Sequence, residues 1–474
     1  MNTFKSFLFL ILISSYTIAQ PQQKKWTLED CINYAIDNNI QLQQQKISTQ
    51  ITKNNLLQSK MSLLPTLSMS ANHNYMTGHT IDPFTNEFIP NNSTTENFSL
   101  SSSVALFNGF RLKNNVKVQK FNHKASLLQL DKIKNNIIIN VATAYMQVLY
   151  NKENMQMSEY QYSTTKEQLE NARKMYNAGA TPIDNVLDAE AQVATSESQM
   201  VSAQNNYYLS VINLMQTMNM KSIDTSNFMI NTPQIKEPDP NLLLLPVDSF
   251  FYAAVKNLPD LQYSEAMLKA KEYQLKMEQG NRSPRIFLSV SYGTGYSDAR
   301  KKGTYTPVLV PSGFLATDST PVLSYQMQYH EQPYPFMDQI KDNASTTISL
   351  GISFPIFNGY QTSTQIKNAR LSLYQAKLDK DNTYNELYKT IFQAYQDTKA
   401  AYKKYLAQKK SFEAQKKSFE NLSKKYKLGL VKYVDYNVAK NNYFKSQNQM
   451  LQSKYEYIFK MLILNFYKGE KFDL

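Results

Sequence analysis

Few side chains in this sequence are placed to do covalent chemistry. The four histidines, His73, His79, His123 and His330, show no metal-ligand spacing, and none pairs with Cys31 in a recognisable nucleophile motif. His73 and His79 fall at or beyond the end of a strand-like stretch and read as surface residues. No glycine-rich loop is present to cradle phosphate. An enzyme is therefore not expected, nor a bound cofactor or metal. The residues that invite a functional reading are the carboxylates Asp184, Asp188 and Asp435, each a few residues beyond a glycine turn. Repeated by symmetry around an aperture, they would form an acidic ring that favours cations and helps gate the opening. The plainer alternative is helix punctuation, because an Asp near a helix start can cap it.

The carboxylates belong to two matching turns. One reads Tyr176-Asn177-Ala178-Gly179-Ala180-Thr181-Pro182-Ile183-Asp184, the other Tyr426-Lys427-Leu428-Gly429-Leu430-Val431-Lys432-Tyr433-Val434-Asp435. In each, a glycine closes a long helical pattern. Between Lys113 and Asn177 neither Pro nor Gly intervenes, and about 65 residues at about 1.5 Å each give a helix of roughly 100 Å. Its apolar residues recur every three or four positions, as in Ile138, Ala142, Tyr145 and Leu149, the spacing of packed long helices. Shorter helices are expected over about Leu28–Ser62 and Ile183–Gln216. The first has Thr27 as N-cap with Asp30 three residues on, and a break near Asn38-Asn39. The second half repeats the scheme, with about Ser363–Lys427 long and Phe250–Gly280 and Val434–Leu464 short. Two short helices end to end match one long one, so a tube of helices about 100 Å deep is expected. A soluble helical stalk is the alternative, and it leaves the strands described below unexplained.

The chain repeats itself. Val104-Ala105-Leu106-Phe107-Asn108-Gly109-Phe110 returns as Phe354-Pro355-Ile356-Phe357-Asn358-Gly359-Tyr360, a step of 250 from Phe107 to Phe357. Gly179 to Gly429 and Ala189 to Ala439 keep that step. Upstream the step is 219: Ala35 to Ala254, Leu42 to Leu261, Pro65 to Pro284. The difference, 250 − 219 = 31, is an insertion in the second copy between Pro284 and Phe354. It is expected within about Ser297 to Ala344, as an extracellular loop that narrows or decorates the mouth. The halves are then 20–216 and 247–467, joined by a linker over 217–246 and followed by a tail, 468–474.

Each half places a strand pair before its long helix. Leu67, Met69, Ala71 and Tyr75 alternate with Ser68, Ser70, Asn72 and Asn74; Phe98, Leu100, Val104 and Leu106 alternate with Ser99, Ser101, Ser103 and Ala105. In the second half Ile286, Leu288, Val290 and Tyr292 alternate with Ser289, Ser291 and Gly293, and Ile348, Leu350, Ile352, Phe354 and Ile356 alternate with Ser349, Gly351 and Ser353. The hairpins should run over about 66–107 and 285–357. Strands of about ten residues, apolar on one face and small and polar on the other, suit a wall between lipid and a watery lumen. Aromatics gather at their ends: Tyr75, Phe107, Phe110, Tyr292, Tyr296, Phe357 and Tyr360. A soluble sandwich also alternates, but four long strands in two distant hairpins fit it poorly. Four strands cannot close a barrel, and open edges in lipid are not viable. Several copies must share one barrel. Phe107, Gly109, Phe357 and Gly359 would mark the joint between barrel and helices, with glycine turning the backbone and aromatics anchoring at the interface.

The N-terminus supports export. Lys5, the apolar run Phe7 to Ile13 and Thr17-Ile18-Ala19 form a signal peptide over 1–19. That run is too short to span a membrane, and no Cys follows the cleavage point. One cysteine excludes a disulfide scaffold. A formal net charge of +13 raises nucleic acid as a partner, but the lysines are spread along helical patterns as solvated faces.

The paired turns, the Phe107-Asn108-Gly109 and Phe354-Pro355-Ile356-Phe357-Asn358-Gly359 junctions, and Pro65 and Pro284 before the strands resemble the TolC-type outer-membrane efflux protein family over residues 26–467. The resemblance implies a mixed α and β membrane protein: a homotrimer with a 12-stranded outer-membrane barrel, a long periplasmic α-helical barrel and a mixed equatorial region. It implies an exit duct for a tripartite pump in a Gram-negative outer membrane, docking a periplasmic adaptor and an inner-membrane transporter. In well-studied members an Asp six residues after the second turn's glycine lines the entrance, and here that position is Asp435. A second Asp three residues later is Val438 here, and a basic residue two after the glycine is Val431. The Tyr three before the glycine is kept as Tyr426. In the first turn Asn185 stands six after Gly179, with Asp184 and Asp188 beside it. Gly179, Ala180, Gly429 and Leu430 resemble the tips that meet the adaptor. A structural or adhesive envelope protein with helical stalks is the alternative function.

Overall fold

The computed structural model describes residues 25–78, 80–81, 86–89, 92–221, 225, 228–233, 245–470 and 472. The expected signal peptide, and parts of the linker and tail, lie outside the described residues. In chain order the elements are β1 (Lys25–Trp26), α1 (Leu28–Asn38), α2 (Ile40–Met61), β2 (Thr66–Met76), β3 (Thr80–Ile81), β4 (Phe88–Ile89), β5 (Ser93–Phe107), α3 (Arg111–Asn177) and α4 (Asp184–Thr217). Then come β6 (Met229–Ile230), α5 (Val247–Asn257), α6 (Pro259–Gln279), β7 (Arg285–Ser297), β8 (Lys301–Phe314), β9 (Pro321–Pro333), α7 (Phe336–Asp342), β10 (Ser345–Ser353), α8 (Gln361–Lys427) and α9 (Tyr433–Lys468). Two compact units result. One comprises Met1–Ser48, Ser126–Tyr263 and Asp381–Leu474, the other Thr49–Ala125 and Ser264–Lys380.

In the helical unit, α1 starts where its cap dictates. The Thr27 hydroxyl accepts from Asp30 N–H at 3.1 Å and the Asp30 carboxylate accepts from Thr27 N–H at 3.1 Å, a reciprocal capping box. Asn39 is extended and ends α1, and its side chain accepts from Leu42 N–H at 3.1 Å to start α2. Leu258 breaks the second half in the same place for another reason: a residue before proline is pushed out of the helical region, and Pro259 then opens α6. The core gathers around α3, where Ala142, Tyr145 and Leu149 are buried at the expected spacing. The Tyr145 hydroxyl reaches Trp26 O at 3.2 Å and Asn231 O at 2.7 Å, and so holds the parallel pair β1–β6.

The helix pairs use different seams. Buried Ala189, Ser196, Ala203 and Ser210 on α4 recur every seven residues, and Thr165 of α3 meets Ser196 at 2.6 Å. On α8, Tyr405, Phe412, Phe419 and Tyr426 recur every seven residues and meet Tyr457, Tyr443 and Tyr436 of α9 with ring centroids 4.8 to 6.2 Å apart. A seven-residue repeat keeps one stripe facing a partner along long helices.

The strand unit is built on an antiparallel sheet of order β10-β7-β5-β2. Cross-strand partners share a face, so Met69, Leu100 and Tyr292 stand together, as do Val290 with Ile348 and Leu288 with Leu350. The other face is small and polar apart from Phe287, which lies over Gly351, and hydroxyls pair on it across β2 and β5: Thr66 with Ser103 at 3.0 Å, Ser68 with Ser101 at 2.8 Å, and Ser70 with Ser99 at 2.7 Å. A bulge between Ala105 and Phe107 brings Phe107 opposite Ile286 on the apolar face. Among the described strands, β2 and β10 have one unpaired edge each.

Two expectations are corrected here. The last strand does not run to Ile356; β10 stops at Ser353. Pro355 has no N–H to donate, whereas Ala105, its counterpart 250 residues earlier, pairs with Phe287. The insertion is not a bare loop, and strands outnumber the four expected. Lys301–Phe314 and Pro321–Pro333 form a second hairpin of 14 and 13 residues, followed by α7. Its base is clamped. The buried Gln339 side chain accepts from Ser297 N–H at 3.1 Å and donates to Ser297 O and Tyr334 O, both at 2.9 Å. An amide side chain thus replaces the peptide that a longer β10 would have set beside β7.

Candidate functional site

Each long helix ends in the same way. Gly179 takes φ 71°, its N–H donates to Tyr176 O at 2.8 Å, and Ala180 N–H donates to Met175 O at 2.9 Å. Gly429 takes φ 72°, its N–H donates to Tyr426 O at 3.0 Å, and Leu430 N–H donates to Lys425 O at 2.9 Å. This crossed pair is a Schellman motif, which needs a residue at ease in the left-handed region. Beyond each turn, Ala180, Leu430 and Leu428 are exposed, as are Val434 and Val438 on α9.

The carboxylates do not cap the following helices. Asp184 opens α4 and Asp435 lies in the first turn of α9, but Ile183 and Lys432 hold the N-cap positions and neither start has a side-chain cap. Their charge meets the positive helix end instead. Asp184, Asp188 and Asp435 are exposed, and among the described residues none of them forms an ion pair. Asp188 is near Tyr433. Burial pushes the Tyr433 hydroxyl up, a hydrogen bond with Asn437 opposes it, and the Asp188 charge adds a smaller upward push.

The structure joins Tyr426 to residues that the sequence did not single out. Tyr426 stacks on Tyr436 at 4.8 Å, and Tyr433 lies 5.8 Å from Tyr426. Gln168 of α3 donates to the Tyr436 hydroxyl at 2.5 Å and accepts from Lys440 Nζ at 2.5 Å. Burial, then Tyr433, Tyr426 and Glu167, push Tyr436 up to about 12. Lys440 is fully buried, and burial pushes it down to about 8. A signal for this group exists on α9, where Tyr433, Tyr436, Lys440 and Phe444 follow at three- and four-residue steps. A lysine within an aromatic stripe is the anomaly.

That lysine makes stability depend on pH. Its folded value, about 8, lies below its ordinary 10.5. Between those values the unfolded chain binds more protons, so stability rises with pH across that window and is flat below it. Lys440→Met should abolish the rise and, at pH 7, be neutral or stabilising by about 1–3 kcal/mol. Thermal unfolding followed by circular dichroism from pH 7 to 10.5 checks this; a rise that survives in Lys440→Met would belong to another group.

The joints in the strand unit are tighter. Gly109 takes φ 65° and Phe110 φ 60°, and Phe107 packs edge-on against Phe110 at 5.5 Å. A Cβ on Gly109 would stand 2.3 Å from Gly280 O, and one on Gly280 would stand 2.4 Å from Gly109 O. The second joint repeats the backbone, with Gly359 at φ 62° and Tyr360 at φ 66°, but nothing lies within 4 Å of a Cβ on Gly359. Phe357 and Ile356 beside it are 84% and 95% exposed.

Among the described residues no group of three or more His, Cys, Asp or Glu is placed to hold a metal. His73 meets Glu96 at 3.2 Å on the sheet, and His123 meets Thr52 at 3.1 Å. His79 lies outside the described residues. Among them, no helix is long and apolar enough to cross a membrane.

The model of a family described as outer membrane efflux protein matches residues 31–220 and 251–462. Outer membrane protein TolC of Escherichia coli is 23% identical over 414 residues, which cover 85% of this chain and 74% of that protein. The solved outer membrane protein VceC of Vibrio cholerae has a TM-score of 0.74 at 14% identity, covering 94% of this chain and 97% of its own. The CmeC outer membrane channel of Campylobacter jejuni has a TM-score of 0.71 at 18% identity, covering 94% and 87%.

Proposed function

Because the chain belongs to the outer membrane efflux protein family, we propose that it is the exit duct of a tripartite export assembly. It resides in the outer membrane of a Gram-negative bacterium and conducts rather than catalyses. The observation that carries the duct is the four-stranded sheet, apolar on one face and hydroxyl-lined on the other, with an unpaired edge at β2 and another at β10. Four strands cannot enclose a lumen, and an open edge in lipid leaves backbone groups unpaired at several kcal/mol each. Copies therefore join β10 to β2. The family resemblance supports three copies and twelve strands. The open joint at Gly359, with Phe357 and Ile356 bare, fits a surface that a neighbouring copy covers.

The two halves, 20–216 and 247–467, are tandem copies of one plan. The double match to the family model, two helices of 67 residues and two identical Schellman turns support this reading. Their long helices form the periplasmic barrel. The tips at Gly179-Ala180 and Gly429-Leu430 dock the periplasmic adaptor, which links the duct to an inner-membrane transporter that supplies the energy. The exposed Leu428 and Leu430 favour such a contact. Asp184, Asp188 and Asp435 ring the entrance, and Tyr426 braces it through its stack on Tyr436.

Isolation from the outer-membrane fraction should give an oligomer whose electrophoretic migration changes on heating, and which conducts in planar bilayers. A soluble monomer would sink the duct and favour a helical envelope protein. Asp435→Ala should lower the cation-to-anion permeability ratio by roughly twofold or more. Unchanged selectivity removes Asp435 from the entrance.

A further inference from the structure

The inserted hairpin is amphipathic. Its pairing, Tyr305 with Tyr329, Leu309 with Tyr325 and Pro311 with Leu323, puts Tyr305, Leu309, Leu323, Tyr325, Met327 and Tyr329 on one face. Thr306, Gln326 and Gln328 stand on the other, together with Val308 and Val310, which are half-buried, and Val322. All six apolar-face residues are exposed. Lys301 and Glu331 pair at 3.1 Å near the base of that face, and the nine paired positions from Tyr305–Tyr329 to Phe314–Pro321, at about 3.4 Å each and two strands wide, make an apolar area of roughly 300 Å². Between β2 and β5 the described strands, β3 and β4, have only two residues each.

The base of the hairpin shows which side it serves. Tyr296 and Thr294 share the apolar face of β7 with Tyr292 and Leu288, two residues apart. Phe336 of α7 packs on Tyr296 at 5.2 Å, and the Thr294 hydroxyl donates to Ile340 O at 2.6 Å. The insertion is therefore fastened on the apolar side of the sheet, not the hydroxyl side. Phe336 and Met337 are themselves exposed and extend that apolar surface past the end of β10. Pro307 and Pro311 blunt the outer edge of β8 against an added strand.

We propose that the apolar face of the β8–β9 hairpin lies on the outer leaflet of the outer membrane, so that each copy holds lipid beyond its own barrel wall. The inference rests on reading the sheet as part of a membrane barrel. Exposed tyrosine mixed with leucine and methionine on one face, with amides, hydroxyls and small valines on the other, suits an element that lies in a lipid–water interface.

The test uses the whole protein, with Cys31 replaced by Ala, reconstituted in phosphatidylethanolamine–phosphatidylglycerol vesicles doped with nitroxide-labelled lipid. One cysteine carries a polarity-sensitive fluorophore, at Met327→Cys, at Gln326→Cys on the opposite face, or at Ile348→Cys on the sheet. Labels at 348 and 327 should emit to the blue and lose about half their intensity or more to the nitroxide, while the label at 326 answers to aqueous iodide. If 348 is quenched by lipid but 327 and 326 both answer to iodide, the hairpin stands in the medium and the proposal falls. Pyrene excimer at 327 would mean that the face packs on a second copy, which also overturns it. A label at 348 untouched by nitroxide would overturn the barrel reading itself.

Discussion

Gly109→Ala should cost roughly 3 kcal/mol or more through a single added methyl group. Two effects add. At φ 65° an alanine pays the left-handed penalty of about 1–2 kcal/mol. Its Cβ must also stand 2.3 Å from Gly280 O, 2.8 Å from Ser283 Cβ and 2.9 Å from Gly280 C. Two of those three atoms are backbone and cannot rotate away. Gly280→Ala meets the same contact from the other side, with Gly109 O at 2.4 Å, and should be comparably severe. Gly429→Ala is the control, since it shares the left-handed backbone at φ 72° but has open space around it; about 1 kcal/mol is expected there. Thermal unfolding and heat-modifiable migration of the outer-membrane fraction measure both. Equal losses at 109 and 429 would show that the approach of the two glycine backbones does not matter.

Gln339→Leu should free the inserted hairpin while leaving the sheet in place. The side chain is fully buried, and its amide serves three backbone groups: Ser297 N–H, Ser297 O and Tyr334 O. Leucine keeps the volume but leaves all three without partners, at about 1–3 kcal/mol for each group that stays dry. Relaxation lets water reach some of them, so a local loss of about 2–4 kcal/mol is expected. Hydrogen exchange should accelerate over 301–342 and stay unchanged over β2 and β5. Unaltered exchange in 301–342 would place the clamp elsewhere, at Asn343, whose amide donates to Gly295 O at 2.6 Å.

Local chemistry was the legible part of this chain. Thr27 and Asp30 announce the first helix, Asn39 its break, and Gly179 and Gly429 the ends of the long helices. Each acts through neighbours four or fewer residues away. The strands of the four-stranded sheet were legible too, because a mostly apolar face and a mostly polar face impose a period of two. The β8–β9 hairpin obeys the same rule but hides it: Pro307, Pro311, Pro321 and Pro333 interrupt the strand signal. Its strands tolerate them because each strand pairs on one side only. Pro355 ended β10 early for the converse reason, the lack of an N–H where pairing would have continued. Least legible was the Lys440–Gln168–Tyr436 chain. It joins positions 272 residues apart, and no periodicity within one helix reveals a partner on another.

The paired hydroxyls of β2 and β5 bear on how fast anything can leave. In each of the pairs Ser68–Ser101, Ser70–Ser99 and Thr66–Ser103 one hydroxyl donates and the other accepts. In the proposed barrel this face would line the lumen, and each pair would already have spent one of its two O–H donors on its neighbour. Affinity for the wall would lengthen the dwell of every solute, and throughput falls as dwell rises. A lining that spends half of these donors on itself would grip solutes less than bare hydroxyls, and the choice of cargo would fall to the machinery upstream.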